Sequence, residues 1–306
     1  MINPKYTIGI AATKNERYTL GNTISTLERD LHYYPLDGEV ESIICLNNHD
    51  IETTDEAYKL VEKYPKLEIK VIESSPGLLN AQRKIILESK SLEDFVIFYD
   101  ADIYIEKGST KRLVSFMKNN SHVHAASGDQ KTFDYNHFWY EVYNIIGLNP
   151  KLMTPRKYLI GKDFAIRKKS YFIPEFLLSE DTFLSYFLTS RFGKGAIANV
   201  PEVMVVYMGP KTFQDYLNKV RRLDLEKEKI FKKFPEFHEL DEYFRKKRIP
   251  EEINKLSFKE KIQLVLHDIV LKGCKRISKL SKKHVWIPLN STKDNRIFED
   301  KKDERD

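Results

Sequence analysis

The chain has 306 residues, of which 41% are hydrophobic and 31% charged, an ordinary balance for a globular protein with a substantial core. No apolar run approaches the ~20 residues that a membrane-spanning helix needs, and Cys45 and Cys274 form no CxxC pair. These features disfavour a transmembrane helix, a disulfide framework and a cysteine-based zinc site, and we expect a cytoplasmic location.

The net charge of +6 is unevenly distributed along the chain. Residues 1–210 contain 25 Lys and Arg against 27 Asp and Glu, a net charge of −2, whereas residues 211–306 contain 26 against 18, a net charge of +8. A basic C-terminal third favours a phosphate-bearing ligand or an anionic membrane surface over a nucleic-acid groove. We therefore expect no nucleic-acid partner.

Short apolar runs alternate with amphipathic stretches over the first hundred residues. Four runs have the length and composition of strands: YTIGIAA (6–12), ESIICL (41–46), LEIKVI (67–72) and DFVIFY (94–99). Apolar residues at helical spacing follow the first three runs, as between Leu20 and Leu31. This alternation predicts βαβ units and a largely parallel sheet.

Polar clusters follow three of the predicted strands, at Thr13–Glu16, at Asn47–Asp50, and at Asp100 and Asp102. Ligands of open α/β sheets bind beyond the carboxyl ends of the strands, so we expect the three clusters to converge at one edge. The sequence contains neither GxGxxG after the first strand nor GxxxxGK[ST]. A dinucleotide dehydrogenase and a P-loop NTPase are therefore disfavoured.

The second half of the chain is more irregular. It contains a strand-like YLIGKDFAIR (158–167), a helix from Glu180 to Phe192, strands near 196–199 and 203–208, and a long charged helix over 212–234. Pro235 and Pro250 bracket a predicted boundary. We predict a catalytic domain over residues 1–235, a basic amphipathic helical extension over 236–287, and a polar, disordered tail over 288–306.

Asp100 and Asp102 are residues i and i+2 of an extended segment, so their side chains point to the same side. Two carboxylates in this arrangement suit Mn²⁺ or Mg²⁺, which prefer oxygen ligands and can neutralise a departing diphosphate. A turn in which both aspartates accept backbone hydrogen bonds is the structural alternative.

The order of these elements resembles the GT-A glycosyltransferases, specifically the large inverting family-two group. The matching stretches occur in the family's order: IGIAATKNE, SIICLNNHDIETTD, GLLNAQRKII, VIFYDADIYI and LLSEDTFLSYFL. The resemblance covers roughly residues 6–225. It implies an α/β fold with a GT-A (Rossmann-like) nucleotide-diphospho-sugar transferase sheet, helices on both faces and a C-terminal helical extension.

The resemblance also implies an activity. An inverting, metal-assisted glycosyltransferase would move a sugar from a nucleotide-diphosphate sugar to a hydroxyl of a glycan, polysaccharide or lipid-linked sugar. Asp100 and Asp102 would bind the metal and the donor. Asp181 would be the catalytic base, with Glu180 as its support or as an acceptor contact. Without the resemblance, two acids after Ser179 would indicate only a capped helix start.

Two basic residues of KVRRL, Lys219 and Arg222, occupy the basic positions of the family's Gln/Arg-x-x-Arg-Trp motif, with Leu223 in place of tryptophan. An arginine fork matches phosphate oxygens, so Arg222 is expected to contact the donor diphosphate and Lys219 to bind the donor with it. A solvated helix face is the alternative, because the charged pattern continues through DLEKEKIFKK.

The nucleotide pocket is expected to be lined by Thr13, Asn15, Glu16 and Asn47, although Asn15 and Glu16 could simply begin the next helix. Two positions depart from the family pattern. Asn47 replaces a usual aspartate, which weakens the case for uracil. Met208 replaces a histidine metal ligand of many relatives, and a thioether is a poor ligand for Mn²⁺ or Mg²⁺.

Two residues are candidate acceptor contacts. Trp139 belongs to the aromatic-rich stretch 133–143, where ring stacking on a sugar competes with core packing as an interpretation. Gly161 could let the backbone approach a sugar closely, and a β-bulge explains it equally well.

A capping box formed by Ser257 and Glu260 predicts a helix near the C-terminus. Its apolar stripe is Phe258, Ile262, Val265 and Ile269, and residues 272–283 contain six basic and no acidic residues. Such a helix could lie on the inner face of an anionic membrane, or pack on the catalytic domain with its basic edge in solvent.

Two other functions stay open. A sugar-nucleotidyltransferase on a related sheet is disfavoured because AATKNER lacks a glycine-rich loop after the first strand. A non-catalytic carbohydrate- or nucleotide-binding protein of the same fold is suggested by Asn47 and Met208.

Overall fold

The structure is a computed structural model that describes residues 5–91, 94–154, 157–175, 177 and 180–280. The predicted tail over 288–306, the end of the predicted extension and the predicted helix cap Ser179 lie outside the described residues. Within the described residues, no helix is long and apolar enough to cross a membrane.

The chain divides into two compact units. The first unit comprises Met1–Asp129 and Lys157–Val206, and the second comprises Gln130–Arg156 and Tyr207–Asp306. The domain boundaries predicted at residues 235 and 287 stay a prediction.

The strands lie in the first unit except for the last residues of two of them, 130–132 and Tyr207. They are β1 (Lys5–Ala12), β2 (Glu39–Asn47), β3 (Ile69–Ser74), β4 (Phe95–Asp100), β5 (Ile103–Ile105), β6 (Ala125–Thr132), β7 (Asp163–Arg167) and β8 (Ile197–Tyr207). The first unit also contains the helices α1 (Arg17–Tyr33), α2 (Ile51–Lys63), α3 (Leu78–Glu88), α4 (Ser109–Asn119) and α6 (Asp181–Phe192).

Among the described residues the strands form one sheet of eight in the order β3-β2-β1-β4-β7-β6-β8-β5. Strand β1 is parallel to β2 and β4, and β2 is parallel to β3, whereas β7 is antiparallel to both β4 and β6. The parallel part agrees with the predicted βαβ pattern. The sheet as a whole is mixed.

The core of the first unit follows from these runs. Both faces of the central strands are covered, so Ile8, Ile10, Ile43 and Ile44 are fully buried, as expected for near-continuous apolar strands. Gly9 allows a helix to approach closely, because a Cβ atom there would lie 2.6 Å from Ile85 Cγ2 of α3.

Three local predictions differ from the structure. Strand β3 begins at Ile69 instead of residue 67, because Pro65–Leu67 form a 3₁₀ turn and Glu68 has a φ of 42°. The strand predicted over 158–167 begins only at Asp163, and the strands predicted near 196–199 and 203–208 are one continuous β8. Apolar periodicity locates a strand but does not fix where hydrogen bonding begins.

Among its described residues, the second unit consists of helices and turns apart from the ends of β6 and β8 and one isolated β-bridge between Met153 and Arg248. Its helices are α5 (Phe138–Leu148), α7 (Phe213–Lys233), α8 (Asp241–Phe244), α9 (Pro250–Lys255) and α10 (Phe258–Leu280). One apolar cluster holds α5, α7 and α10 together, and it consists of Val142, Tyr143, Tyr216, Val220 and Cys274. The capping box predicted for α10 is present, since Ser257 N donates to Glu260 Oε2 (2.9 Å) and Glu260 N donates to Ser257 Oγ (3.3 Å).

Candidate active site

The aspartate pair lies at the carboxyl end of β4. Asp100 is the last residue of β4, and its backbone N–H donates to the Lys162 carbonyl (3.0 Å), which continues the antiparallel pairing of β4 with β7. Because β1 is parallel to β4 and Ala11 pairs with Asp100, the ends of these two strands lie at the same edge of the sheet.

A lysine that the sequence interpretation did not single out bridges the pair. Lys162 Nζ lies 2.9 Å from Asp100 Oδ2 and 2.6 Å from Asp102 Oδ1. The side chains of Asp102, Lys162 and Asp100 are only 11%, 24% and 28% exposed, so water screens this trio incompletely. Both carboxylates therefore point at one position, and a cationic nitrogen occupies it.

The electrostatics of the trio follow from burial and charge. Burial raises the pKa of Asp100, and the neighbouring Asp102 and Asp181 add to the rise against the opposing effect of Lys162. Burial opposes the charged form of Lys162, but attraction to Asp100 and Asp102 outweighs it and raises the pKa of the ammonium. Lys162 is therefore charged at any physiological pH.

Two further carboxylates lie at the start of α6. Asp181 is the first residue of the helix, and its Oδ1 accepts from Thr182 N (2.6 Å). Glu180 precedes it, is 2% exposed, and has an Oε2 atom without a hydrogen-bond partner among the described residues. Burial, together with the charges of Asp181 and Asp100, raises the pKa of Glu180 to about 8. Glu180 is thus mostly protonated near neutral pH.

The turn before β7, residues 158–162, contacts both the Asp100–Asp102 pair and the Glu180–Asp181 pair. A Cβ atom on Gly161 would lie 2.8 Å from Glu180 Oε1 and 3.5 Å from Asp181 Oδ2, so this turn passes directly against both acids. Leu159 N donates to Ser185 Oγ (3.0 Å), and Ser185 Oγ donates to the Asp181 carbonyl (2.6 Å). These bonds fix the turn to the first two turns of α6.

The predicted nucleotide loops are joined by their own hydrogen bonds. Thr13 N donates to Glu16 Oε2 (2.7 Å), and Asn15 N donates to Asp50 Oδ2 (3.0 Å). Asp50 also caps α2 by accepting from Thr53 N (2.8 Å). The loops after β1 and β2 are therefore held as one polar surface at the sheet edge.

Asn47 connects this surface to α3. Its Nδ2 donates to the Ala12 carbonyl (3.0 Å), and its Oδ1 accepts from Gly77 N (3.3 Å). Gly77 has a φ of 118°, which suits glycine, and it precedes the first residue of α3. Donor and acceptor are both required here, which accounts for an amide at this position.

The residues present suit a divalent cation at the aspartate pair. Lys162 Nζ is within hydrogen-bond distance of one oxygen from each aspartate, so a single cation can contact both carboxylates. Among the described residues, no cluster of three or more His, Cys, Asp or Glu side chains could hold a metal by itself. Mg²⁺ commonly takes one or two carboxylates and completes its shell with water and substrate phosphates.

The remaining predicted residues belong to the second unit. Trp139 is half-exposed on α5 and stacks on Tyr143, with ring centroids 6.0 Å apart. Lys219 lies over the Tyr207 ring, with its Nζ 5.8 Å from the ring centroid. Arg222 follows one turn later on the same helix, α7. Met208 is buried, so its thioether lies among core side chains.

Sequence reasoning missed Lys162 and Gln82. Gln82 is buried on α3, accepts from Tyr171 Oη (3.0 Å) and hydrogen-bonds the Glu180 carboxyl. Gln82 lies in GLLNAQRKII and Lys162 in YLIGKDFAIR, but nothing local in either stretch indicates a side chain that contacts the acids. The only available signal for Lys162 was a charged residue just before an apolar strand, since DFAIR follows it directly.

The sequence matches the family model described as Glycosyl transferase family 2 over residues 10–176, more than half of the chain. The chain belongs to glycosyl transferase family 2. The match includes the strand ends that hold Thr13–Glu16, Asn47–Asp50, and Asp100 and Asp102. The predicted family is therefore confirmed. No curated protein sequence matches this family member.

Solved structures give the fold of this family 2 protein. A mannosyltransferase from Pyrobaculum calidifontis, in complex with GDP-Man and Mn²⁺, is similar with a TM-score of 0.56 and 14% identity, over 95% of this chain and 79% of that chain. Glucosyl-3-phosphoglycerate synthase from Mycobacterium tuberculosis, in complex with phosphoglyceric acid, is similar with a TM-score of 0.50 and 16% identity. The match covers 72% of this chain and 79% of that chain. The predicted GT-A fold and C-terminal helices are confirmed, and the Mn²⁺ of the first neighbour is an ion of the kind predicted for this chain.

Proposed function

We propose that this family 2 protein is an inverting, metal-assisted glycosyltransferase. It transfers a sugar from a nucleotide-diphosphate sugar to a hydroxyl group of a glycan, polysaccharide or lipid-linked acceptor. The observation that supports this best is the convergence of Asp100, Asp102, Glu180 and Asp181 around the Gly161–Lys162 turn in a family 2 fold.

The donor end of the site is the aspartate pair. Asp100 and Asp102 would hold Mn²⁺ or Mg²⁺ at the position where their oxygens converge. A bound divalent cation would neutralise the charge that develops on the diphosphate leaving group. Thr13, Asn15, Glu16 and Asn47 of the first unit line the nucleotide side. For Lys219 and Arg222 of the second unit, the family motif supports the predicted role in donor diphosphate binding.

The acceptor end of the site is the start of α6. Asp181 Oδ1 is bonded by Thr182, whereas Asp181 Oδ2 faces Gly161, so Oδ2 is the atom that takes the proton of the attacking hydroxyl. Glu180 carries its proton near neutral pH and presents a hydrogen-bond donor beside this oxygen. Because protonated Glu180 is neutral, it adds no fourth negative charge to those of Asp100, Asp102 and Asp181. Gly161 is the proposed acceptor contact beside these acids, and Trp139 of the second unit keeps its predicted role in stacking on an acceptor sugar.

The proposal is tested by offering the full-length protein UDP and GDP sugars with Mn²⁺ and measuring the nucleoside diphosphate released in the presence of sugar acceptors. Proton NMR of the product gives the anomeric configuration, which is inverted relative to the donor. The change Asp181→Asn lowers kcat about 10³-fold, because the proton acceptor is lost. Donor affinity, measured by calorimetry, stays within about twofold, because the aspartate pair is unchanged.

The matched control is Asp55→Asn, the same chemical change at an exposed position of α2. This variant retains the activity of the unmodified protein. Full activity of the Asp181→Asn variant, or a product that retains the donor configuration, would exclude the proposed mechanism.

A further inference from the structure

Helix α10 of the second unit packs through one face only. Cys274 belongs to the cluster with α5 and α7, and Leu264 is also buried. His267 Nδ1 lies 3.1 Å from the Val142 carbonyl, which fixes the rotation of α10 about its axis. The side of α10 that faces its own unit is therefore defined by residues 264, 267, 271 and 274, at helical spacing.

The opposite face of α10 is apolar and exposed. Phe258, Ile262, Val265 and Ile269 follow one another at intervals of four, three and four residues, so they form one stripe. Their exposed fractions run from 42% at Ile262 to 81% at Phe258. This is the stripe that the sequence predicted, and the structure places it in solvent, because a second set of apolar residues makes the core contact. Four large apolar side chains along one exposed helix face indicate an interaction surface.

Basic side chains border this exposed stripe. Lys261, Lys272, Lys275 and Arg276 are exposed, and among the described residues they form no ion pair. Lys261 and Lys272 lie one helical turn after Phe258 and Ile269, next to the stripe. Of the two acids among the described residues of α10, Asp268 is paired with Arg248 of the same unit, and Glu260 is bonded to Ser257 in the capping box. The border is therefore positive.

We propose that the exposed stripe and basic border of α10 form a binding surface for anionic lipid membranes. A helix with an apolar stripe and a lysine-rich border lies in the membrane interface, with the apolar side chains among the acyl chains and the ammonium groups at the phosphates. A second copy of the chain fits less well, because a symmetric contact would bring the same basic border against itself. Neither the stripe nor its border includes a residue placed in the transfer site, so the surface does not depend on the proposed reaction.

The test is vesicle flotation with the full-length protein at low salt. Vesicles of phosphatidylcholine alone are compared with vesicles that contain about one third phosphatidylglycerol, enough to give a strongly negative surface. The protein floats with the anionic vesicles and not with the neutral ones, and added salt releases it, because the ammonium contribution is screened.

Two variants distinguish insertion of the exposed stripe into the membrane from non-specific electrostatic attraction to it. The double variant Val265→Asp, Ile269→Asp lowers the vesicle affinity by about a hundredfold, because two apolar side chains no longer insert and two charges must be buried. Its control is Tyr58→Asp, Leu87→Asp, which adds the same charge at two exposed apolar positions of the first unit. The control changes the affinity less than about threefold, because exposed charges elsewhere are screened.

Hydrogen exchange of the unmodified protein gives a readout that requires no variant. Anionic vesicles slow exchange in peptides that cover residues 258–277 and not in peptides of α7. The proposal is overturned if the protein ignores anionic vesicles, if the stripe variant and the control bind them equally, or if vesicles leave exchange in α10 unchanged. Sedimentation of the protein as a dimer that only the stripe variant dissociates, without vesicle binding, would assign the surface to a second copy instead.

Discussion

The nucleotide loops and the carboxylate cluster lie at the same edge of the first unit, and they differ in how their polar groups are paired. In the loops, Glu16, Asn47 and Asp50 accept backbone N–H groups of neighbouring segments. In the cluster, Lys162 bridges two aspartates and the buried Glu180 leaves one oxygen without a partner among the described residues. The loops thus stabilise the fold, whereas the cluster contains buried carboxyl groups whose ionisation burial opposes, as is common at functional sites.

The largest expected effect comes from removing the buried acid in the variant Glu180→Gln. Burial raises the folded-state pKa of Glu180 to about 8, whereas its ordinary value is 4.5. Its favourable contribution is therefore complete below pH 4.5 and is lost as the pH rises towards about 8, because the folded state resists ionisation. The variant has nearly the stability of the unmodified protein at pH 4.5 and is more stable by about 4 kcal/mol at pH 8. Urea unfolding at several pH values measures this difference.

The matching change in the loops has the opposite sign. Asn47→Ala leaves the Ala12 carbonyl and the Gly77 N–H without their partner and costs about 2 kcal/mol at every pH. Plotted against pH, the free energy of unfolding of Glu180→Gln therefore diverges from that of the unmodified protein. The curve of Asn47→Ala stays parallel to it. A Glu180→Gln curve parallel to that of the unmodified protein would remove the distinction between the two regions.

The variant Gly161→Ala tests how closely the turn before β7 packs against Glu180. In Gly161→Ala the new Cβ meets Glu180 Oε1 at 2.8 Å, and the buried glutamate has little room to move away. We expect a loss of about 2 kcal/mol in the free energy of unfolding, together with reduced transfer activity. The control Gly195→Ala places its Cβ in open space and changes stability by less than about 0.5 kcal/mol. Equal stabilities of the two alanine variants would contradict the close contact.

The smallest expected effect concerns Lys162. In Lys162→Met the ammonium that occupies the position between the aspartates is replaced by an apolar chain of similar length. We expect Mn²⁺ to bind about tenfold more tightly in the absence of donor, since no ion pair has to be broken first. Calorimetry or the electron paramagnetic resonance of Mn²⁺ measures the affinity.

The control for this variant is Lys70→Met, which removes the ion pair of Lys70 with Glu88 on the surface of the same unit. This change leaves Mn²⁺ binding unaltered. Weaker Mn²⁺ binding by the Lys162→Met variant would mean that Lys162 organises the aspartate pair and does not compete with the cation.

The predictable part of the fold was local. Alternation of apolar runs located β1 to β4 within about two residues and indicated a helix after each of the first three, because burial on both faces requires continuous apolar strands. The switch to an antiparallel β7 was not predictable, because the turn over residues 158–162 has the same strand-like composition as the strand that follows it.

The chemical types at the candidate site were likewise present in the sequence. Asp100 and Asp102 are identified by their place at a strand end, and Glu180 and Asp181 by their order in a family pattern. The protonation state of Glu180 was not predictable, since its raised pKa depends on burial by distant segments and on the charges of Asp181 and Asp100.

The sequence by itself determined the family, the succession of strands and helices, and the acids at the strand ends, because these depend on neighbours within a few residues. Only the tertiary structure decided which cation bridges Asp100 and Asp102, and which apolar stripe of α10 is buried. Lys162 is 60 residues from Asp102 in the chain and reaches it only through the antiparallel pairing of β4 with β7. Helix α10 is apolar on two sides, and the packing of α5 and α7 against one of them leaves the other in solvent.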